Sequence, residues 1–342
     1  DATFHIPAFL EGGRTTENGI HYLNGIPVHT TDFGHDNIFG FSTSNLAKWI
    51  EEKSFGKIQA KNILHVKIKQ LDMAFNDEDG FESLLKFLSK LENNTSVVVD
   101  AKLPHHLEIL ASAIKVVSKE KRFLFRTAAS FINSLSALPP NPKCTADLVS
   151  LKSKNNEYKY KPGLIIVGSH VKLATDQLKV LLIDNSCKGL EIPVSKLANI
   201  FALEDRQQAI LEIEYTLLSK IDDILDLEKV PVLYTSREEM KFSSYSERMT
   251  FGLELAEFMS ILVRKITNKL GYIISKGGIT TQILLQKGLN FNYVNLKGQI
   301  LPGLSIVTGD SDQYNLPVVT FPGNLGNEKT LLEVLKLMDS IA

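Results

Sequence analysis

Two glycine turns near the C-terminus constrain this chain most. Each follows an apolar run with the character of a buried strand, and each is read as opening a helix. The first is Tyr272-Ile273-Ile274-Ser275-Lys276-Gly277-Gly278-Ile279-Thr280, and the second is Val318-Val319-Thr320-Phe321-Pro322-Gly323-Asn324-Leu325-Gly326. Glycine has no Cβ to hold a ligand away, and a helix start offers N–H groups that lack partners within the helix. That combination holds phosphate, so the pair suggests a nucleotide site. Neither turn has the spacing of the usual P-loop.

The turns fit a wider alternation. Residues 62–68 and 96–100 are short and β-branched, the pattern of buried strands. Between 103 and 118, apolar residues recur at Leu107, Leu110, Ala111, Ile114 and Val117 with Pro104 near the start, which predicts an amphipathic helix. Such alternation argues for an α/β architecture, with largely parallel sheets flanked by helices. Between 139 and 163 the pattern fails. Pro139, Pro140 and Pro142 precede a polar run, Lys152-Ser153-Lys154-Asn155-Asn156-Glu157, and no periodicity links them. The domain boundary is expected there, giving domains 1–150 and 151–342. The second half restarts with a strand, Leu164-Ile165-Ile166-Val167, then Gly168-Ser169 and a helix from about Thr175. A long helix from about Glu204, a strand over 230–234 and a further helix ending near Leu270 lead into the first glycine turn.

Composition narrows the function classes. A length of 342 residues accommodates two domains with substantial cores. The net charge of −1, with acids and bases well mixed, argues against an extended basic face for nucleic acid. The two cysteines, Cys144 and Cys187, lack metal-ligand spacing and read as free thiols of a reducing compartment. No run approaches the roughly 18 apolar residues that span a bilayer. The start, Asp1-Ala2-Thr3-Phe4-His5-Ile6-Pro7, is not a signal peptide. It lacks a Met and reads like the tail of a strand, so a fragment or a processed product is expected.

Three junctions in the second half, at Gly168-Ser169, Gly277-Gly278 and Pro322-Gly323-Asn324, follow strands. In an open parallel sheet such junctions gather at the carboxyl ends, where ligands bind; singly, each glycine can serve only to turn the chain. Thr280 is either a hydroxyl for phosphate or a Mg²⁺ water, or an ordinary N-cap. Asn324 is either a ligand contact or a turn residue tolerating positive φ. Lys276 is the nearest cation in sequence, with a solvated surface lysine as the alternative. In the first half, Gly12-Gly13-Arg14 offers a flexible turn and a guanidinium able to clamp a carboxylate or phosphate, or else an exposed turn. Asp100 ends a strand, a position suited to function or to capping. His105-His106 has no carboxylate or cysteine at metal-ligand spacing, so all eight histidines are read as structural or solvated and no metal ligand is expected. A helix N-terminus stabilises an anion by only about 0.3–2 kcal/mol. Turns of this kind therefore bind a nucleotide without activating it, and a kinase needs Mg²⁺, a placed cation and a group that orients the acceptor.

In order, these motifs form a familiar series. Pro7-Ala8-Phe9 precedes Gly13-Arg14, followed by Gly19-Ile20-His21-Tyr22, Thr31-Asp32-Phe33 with His35-Asp36, and Arg126-Thr127-Ala128-Ala129-Ser130-Phe131. The second half adds Gly168-Ser169 with Thr175 and Gln177, then Thr235-Ser236-Arg237, and the glycine turns with Pro302-Gly303 between them. Across nearly its whole length the chain resembles the four-carbon acid sugar kinase family, formerly a family of unknown function. The resemblance implies two α/β domains with the active site in the interdomain cleft. It implies an ATP-dependent kinase acting on a terminal hydroxyl of a four-carbon sugar acid of the threonate or erythronate type. ATP contacts carry over to Ser169, Gly277, Gly278, Ile279, Thr280, Gly323 and Asn324, with Gly326 completing the second turn. Gly13 and Arg14 would hold the acceptor carboxylate, and Mg²⁺ would accompany ATP.

The pattern also departs from the family. Ile279 stands where the commoner form has an acid, and Phe321-Pro322 where it has Lys-Ser. The family's aspartate-rich strand end, and a segment rich in Ser, Asp and Arg, are not found ahead of Asp1. If residues precede Asp1 in the whole protein, the catalytic base is expected among them. If none do, the substrate half is incomplete and catalysis is expected to be absent. No base is assigned within the chain. Small-molecule partners, a cytoplasmic setting, no nucleic acid and no membrane are expected, and a homodimer is compatible. The alternative is a nucleotide-binding sensor or assembly module without kinase activity. A nicotinamide dehydrogenase fails because no GxGxxG follows the first strand of either half.

Overall fold

The computed structural model describes residues 1–35, 40–137, 145–157, 159–238, 240–309 and 316–339. The chain divides into two compact units, Asp1–Pro140 and Asn141–Ala342, a division inside the proline-punctuated stretch and ahead of residue 150. Cys144 lies outside the described residues, while Cys187 is buried as a free thiol whose pKa desolvation pushes up to about 11.

The first unit contains β1 (Ala2–Ile6), β2 (Arg14–Glu17), β3 (Ile20–Leu23), β4 (Ile26–Pro27), β5 (Leu64–Val66), β6 (Thr95–Val99) and β7 (Phe123–Thr127). Its helices are α1 (Leu46–Lys53), α2 (Ile68–Asn76), α3 (Glu78–Ser89), α4 (Pro104–Val117) and α5 (Ala129–Ser136). A parallel sheet in the order β5-β6-β1-β7 forms the base, and β2-β3-β4 make a small antiparallel meander. One sheet face presents Phe4, Ile6, Val97 and Val99 to Leu107, Leu110, Ile114 and Phe131. The other face packs Val98 against Leu46 and Ile50 of α1. The expected helix over 103–118 is α4, with Pro104 in its first turn, where a missing N–H leaves no bond unmade.

The second unit contains α6 (Thr145–Val149), β8 (Gly163–Val167), α7 (Lys172–Leu182), β9 (Cys187–Ile192), α8 (Val194–Phe201), α9 (Gln207–Asp226), β10 (Val230–Thr235), α10 (Tyr245–Ile266), β11 (Tyr272–Lys276), α11 (Gly278–Ile283), β12 (Val294–Leu301), β13 (Leu304–Gly309), β14 (Val318–Phe321) and α12 (Thr330–Asp339). The sheet runs β12-β13-β14-β11-β8-β10-β9. It is parallel from β14 through β9, with β12 and β13 antiparallel at one edge. Both faces are covered: Leu164, Ile166 and Ile273 pack with residues of α9 and α10, while Ile165, Val167 and Ile274 pack with residues of α7 and α12. Burial on both faces is why these strands read as unbroken apolar runs. Among the described residues no helix is long and apolar enough to cross a membrane.

Asp100 is not the cap of α4, whose N-cap is Leu103. Asp100 itself is 1% exposed and accepts hydrogen bonds from the N–H groups of Asn18 and Gly19, each at 2.9 Å, which ties the β2–β3 turn to the end of β6. His65 Nε2 also lies 2.9 Å from its Oδ1. Removing this carboxylate would orphan two backbone donors. Asp100→Ala is expected to lower the unfolding free energy by about 1–3 kcal/mol in urea titration, with Asp100→Asn recovering part of the loss.

Candidate functional site

The site begins with strand register. Lys276, the last residue of β11, lies opposite Val167 at the end of β8 and opposite Phe321 at the end of β14. Three parallel strands therefore finish level, and Gly168-Ser169, Gly277-Gly278 and Pro322-Gly323 leave from one edge. The strands after β8 run to one side of it, through β10 and β9, while β11 and β14 lie on the other. The strand order thus reverses between β8 and β11, the place where open α/β sheets bind ligands beyond their carboxyl ends.

Ser169 sits between the two glycine turns. A Cβ added at Gly277 would come 3.3 Å from Ser169 N, and one added at Gly323 would come 2.4 Å from Ser169 Oγ. Gly277 also has φ +124°, a conformation that side-chain-bearing residues rarely adopt. Gly278, which opens α11, is exposed and has open space on its Cβ side. Ile279 is half-buried beside it. Thr281, absent from the sequence reading, fixes this turn: its Oγ1 lies 2.8 Å from both Gly277 O and Ser275 Oγ.

Several expectations need correction. Thr280 is not an N-cap, because Gly277 occupies that position and no side-chain cap is made. Its side chain is buried, and a Cβ at Gly168 would fall 2.1 Å from its Oγ1, so Thr280 fills the space that Gly168 leaves. Gly323 does not open a helix. The helix after β14 begins at Thr330, where Asn327 Oδ1 accepts from Lys329 N at 2.9 Å and Thr330 Oγ1 accepts from Asn327 N at 2.9 Å. The intervening loop is held by buried Gln177, whose Nε2 donates to Leu325 O at 3.0 Å and Asn327 O at 2.7 Å. Asn324 is half-buried in this loop, and positive φ occurs at Gly326 rather than at Asn324.

Lys276 is not solvated. It is wholly buried, donates to Pro322 O at 2.9 Å and Gly323 O at 3.2 Å, and lies 3.9 Å from the centroid of the Phe321 ring. Burial pushes its pKa down to about 7. The amine has hydrogens for both carbonyls in either protonation state, so it braces the second turn against the first, and its burial keeps it from solvent.

The N-terminal pair is also located. Gly13 has φ +68° and caps the short turn Leu10–Gly12. Arg14 opens β2, half-buried, with its guanidinium 5.2 Å from the Phe9 ring and 6.0 Å from that of Phe33. It makes no ion pair among the described residues, and desolvation lowers its pKa. His21 is held neutral, pushed down to about 4 by burial and then by Arg14.

His105 and His106 do have a carboxylate partner, contrary to expectation. Asp72 of α2 places Oδ1 3.2 Å from His105 Nε2 and 2.9 Å from His106 Nε2, a group with the spacing of a metal cluster. The other nitrogen of His106 accepts from Lys102 N and Leu103 N at 3.1 and 3.3 Å. Its proton therefore sits on Nε2 and points at Asp72, so His106 caps α4 and would need to become an imidazolate to bind a metal there.

Lys276 yields a pH signature. Its folded pKa near 7 lies below the ordinary 10.5 of the unfolded chain, so between those values the unfolded state binds the extra proton. The stability of the wild type relative to Lys276→Met is expected to rise as pH climbs from 7 towards 10, measured by urea unfolding of both proteins. A pH-independent difference would mean that Lys276 stays charged in the fold.

Comparison with known proteins agrees with this division. Residues 1–135 match a sugar-binding N-terminal domain, and residues 164–331 match a nucleotide-binding C-terminal domain. Comparison with curated proteins gives no match. A solved structure from Salmonella typhimurium LT2, named as a candidate tRNA synthase, superposes with TM-score 0.61 at 17% identity, over 97% of this chain and 72% of that one. A Haemophilus influenzae protein from a domain family of unknown function gives TM-score 0.53 at 19% identity, over 100% of this chain and 74% of that one. Likeness at these identities is one of fold.

Proposed function

Because this chain belongs to the four-carbon acid sugar kinase family, we propose that it is an ATP-dependent kinase phosphorylating a terminal hydroxyl of a four-carbon sugar acid of the threonate or erythronate type. The observation that carries the nucleotide half is the position of Ser169 between Gly277 and Gly323, where a Cβ on either glycine would close the space. A cradle kept open by the absence of side chains suits a phosphate approached by backbone N–H groups. Ser169, Gly277, Gly278, Ile279 and Thr280 form one wall of the proposed site, and Gly323 and Asn324 the other. Arg14, half-buried without an acid partner among the described residues, suits a planar carboxylate taken in bidentate fashion, with Gly13 setting the turn before it.

Mg²⁺ fits this site in one way. The described residues of the glycine turns offer the ion no carboxylate, and the Thr280 hydroxyl is turned against Gly168, so beside the Ser169 hydroxyl the ion would be held chiefly by phosphate oxygens and water. Bound there, it would neutralise charge on the transferred phosphoryl group. The backbone of the turns orients the nucleotide, and no residue of this chain is assigned as the base.

The test is ADP release from Mg-ATP with a panel of four-carbon acids, run beside ATP-induced thermal shifts. Turnover with at least one acid is expected. Gly277→Val and Gly323→Val are expected to abolish the thermal shift, Gly277→Val through its φ and Gly323→Val through the Ser169 side chain. An ATP shift without turnover on any acid would favour a nucleotide-binding sensor or assembly module. Unchanged shifts in both variants would move the nucleotide elsewhere.

A further inference from the structure

We propose that Arg237 is the cation that takes the charge of the nucleotide's phosphates, a role the lysine beside the glycines does not fill. This rests on the nucleotide reading of the C-terminal unit. Arg237 follows β10, the parallel neighbour of β8, and so emerges on the same carboxyl edge as the glycine turns. Its Nη1 donates to Ser169 O at 2.5 Å, at the residue that both glycine turns crowd. Its Nε and Nη2 are buried and have no hydrogen-bond partner among the described residues.

This is an unusual state for a guanidinium. It cannot shed its proton as Lys276 does, and a buried charged donor without an acceptor is destabilising. Burial lowers the Arg237 pKa, against smaller opposing effects of Tyr234 and Glu191. No carboxylate forms an ion pair with Arg237 among the described residues. The surroundings carry the Glu191 carboxylate and a second arginine, Arg248, whose field reaches His170. His170, next to Ser169, has Nε2 2.9 Å from Thr235 Oγ1 and is pushed down to about 4 by desolvation, then by Arg237 and Arg248. It is therefore neutral near pH 7, beside two arginines.

Two arginines near the Glu191 carboxylate, with two guanidinium nitrogens unpartnered among the described residues, leave room for an anion. Its attachment to Ser169 identifies which one, because the backbone that Arg237 grips is the backbone the phosphates would meet. A planar fork with two free N–H directions matches two phosphate oxygens, whereas a lysine would offer a point charge. Seating the anion requires the Arg237 side chain to turn its buried Nε and Nη2 outward, so part of the binding energy is spent on that movement.

The experiment compares wild type, Arg237→Gln and Arg237→Lys by calorimetry and thermal shift with ATP, ADP, adenosine and inorganic pyrophosphate. Arg237→Gln is expected to weaken ATP and ADP binding at least tenfold and to leave adenosine binding within twofold. Arg237→Lys should fall between wild type and Arg237→Gln. Without ligand, the melting temperature of Arg237→Gln should equal or exceed that of wild type, because an unsatisfied buried charge is removed; a merely structural brace on Ser169 would lower it. Equal ATP affinity in wild type and Arg237→Gln overturns the proposal, as does a parallel loss of adenosine and ATP binding. If wild type binds pyrophosphate through Arg237 but neither ATP nor ADP, the anion site stands and the nucleotide reading fails. If wild type binds none of the four ligands, both are overturned.

Discussion

The register that sets Lys276 level with Val167 and Phe321 is the constraint on which the second unit depends. Slipping any of these strands by one residue would exchange its two faces. Ile165, Val167 and Ile274 would then leave one core and Leu164, Ile166 and Ile273 the other. Both cores therefore oppose a slip. The three strand exits inherit that precision, so Ser169 comes close to both glycine turns although residues from distant parts of the sequence must meet there. A slip would also shift an exit by about 3.3 Å, the rise per strand residue. That is more than the whole clearance between Ser169 Oγ and a Cβ at Gly323.

Two buried cations near this edge meet desolvation in different ways. Lys276 can lose its proton, and its amine then satisfies the carbonyls of Pro322 and Gly323 without carrying charge into the core. Its work is internal. Arg237 stays charged at any accessible pH, and two of its nitrogens find no acceptor among the described residues, which leaves them for the proposed anion. The weak field of a helix start makes this difference matter. The opening of α11 offers a fraction of the stabilisation that a triphosphate requires, and α12 begins at Thr330, away from Gly323. For the proposed nucleotide, the greater part of the charge compensation would come from side chains or a metal ion.

Much of this fold was legible because strands buried on both faces must be apolar throughout. β8, β10, β11 and β14 stand out for that reason, as does α4 by its stripe. β9 did not, since Lys188, Gly189 and Glu191 are exposed along an edge strand and interrupt the pattern. The β12–β13 hairpin is likewise half exposed, and the short β2-β3-β4 meander has few core positions. At the site, the glycines were visible because a missing side chain is a local property. The roles of Lys276, Asp100, Gln177 and His106 were not. Each depends on a partner that only the folded chain supplies, such as Asp72 for His106 or the carbonyl of Asn327 for Gln177. Gly323 misled for a related reason: a glycine after a strand signals a turn, but the cap that starts the helix lies further on at Asn327 and Thr330.

The two units solve the same problem with opposite charge. Beyond β6, the buried carboxylate of Asp100 collects backbone N–H groups and fixes a hairpin turn. Beyond β11, the buried amine of Lys276 collects backbone carbonyls and fixes a loop. In each case the ionisable group at the strand end is engaged by the backbone. Arg14 in the first unit and Arg237 in the second are guanidinium ions without an acid partner among the described residues, a state they share with others such as Arg126 and Arg248. A sugar acid and a nucleotide are both anions. The fold thus ties this acid and this lysine to the backbone, and it leaves uncompensated the residue type that binds carboxylates and phosphates best.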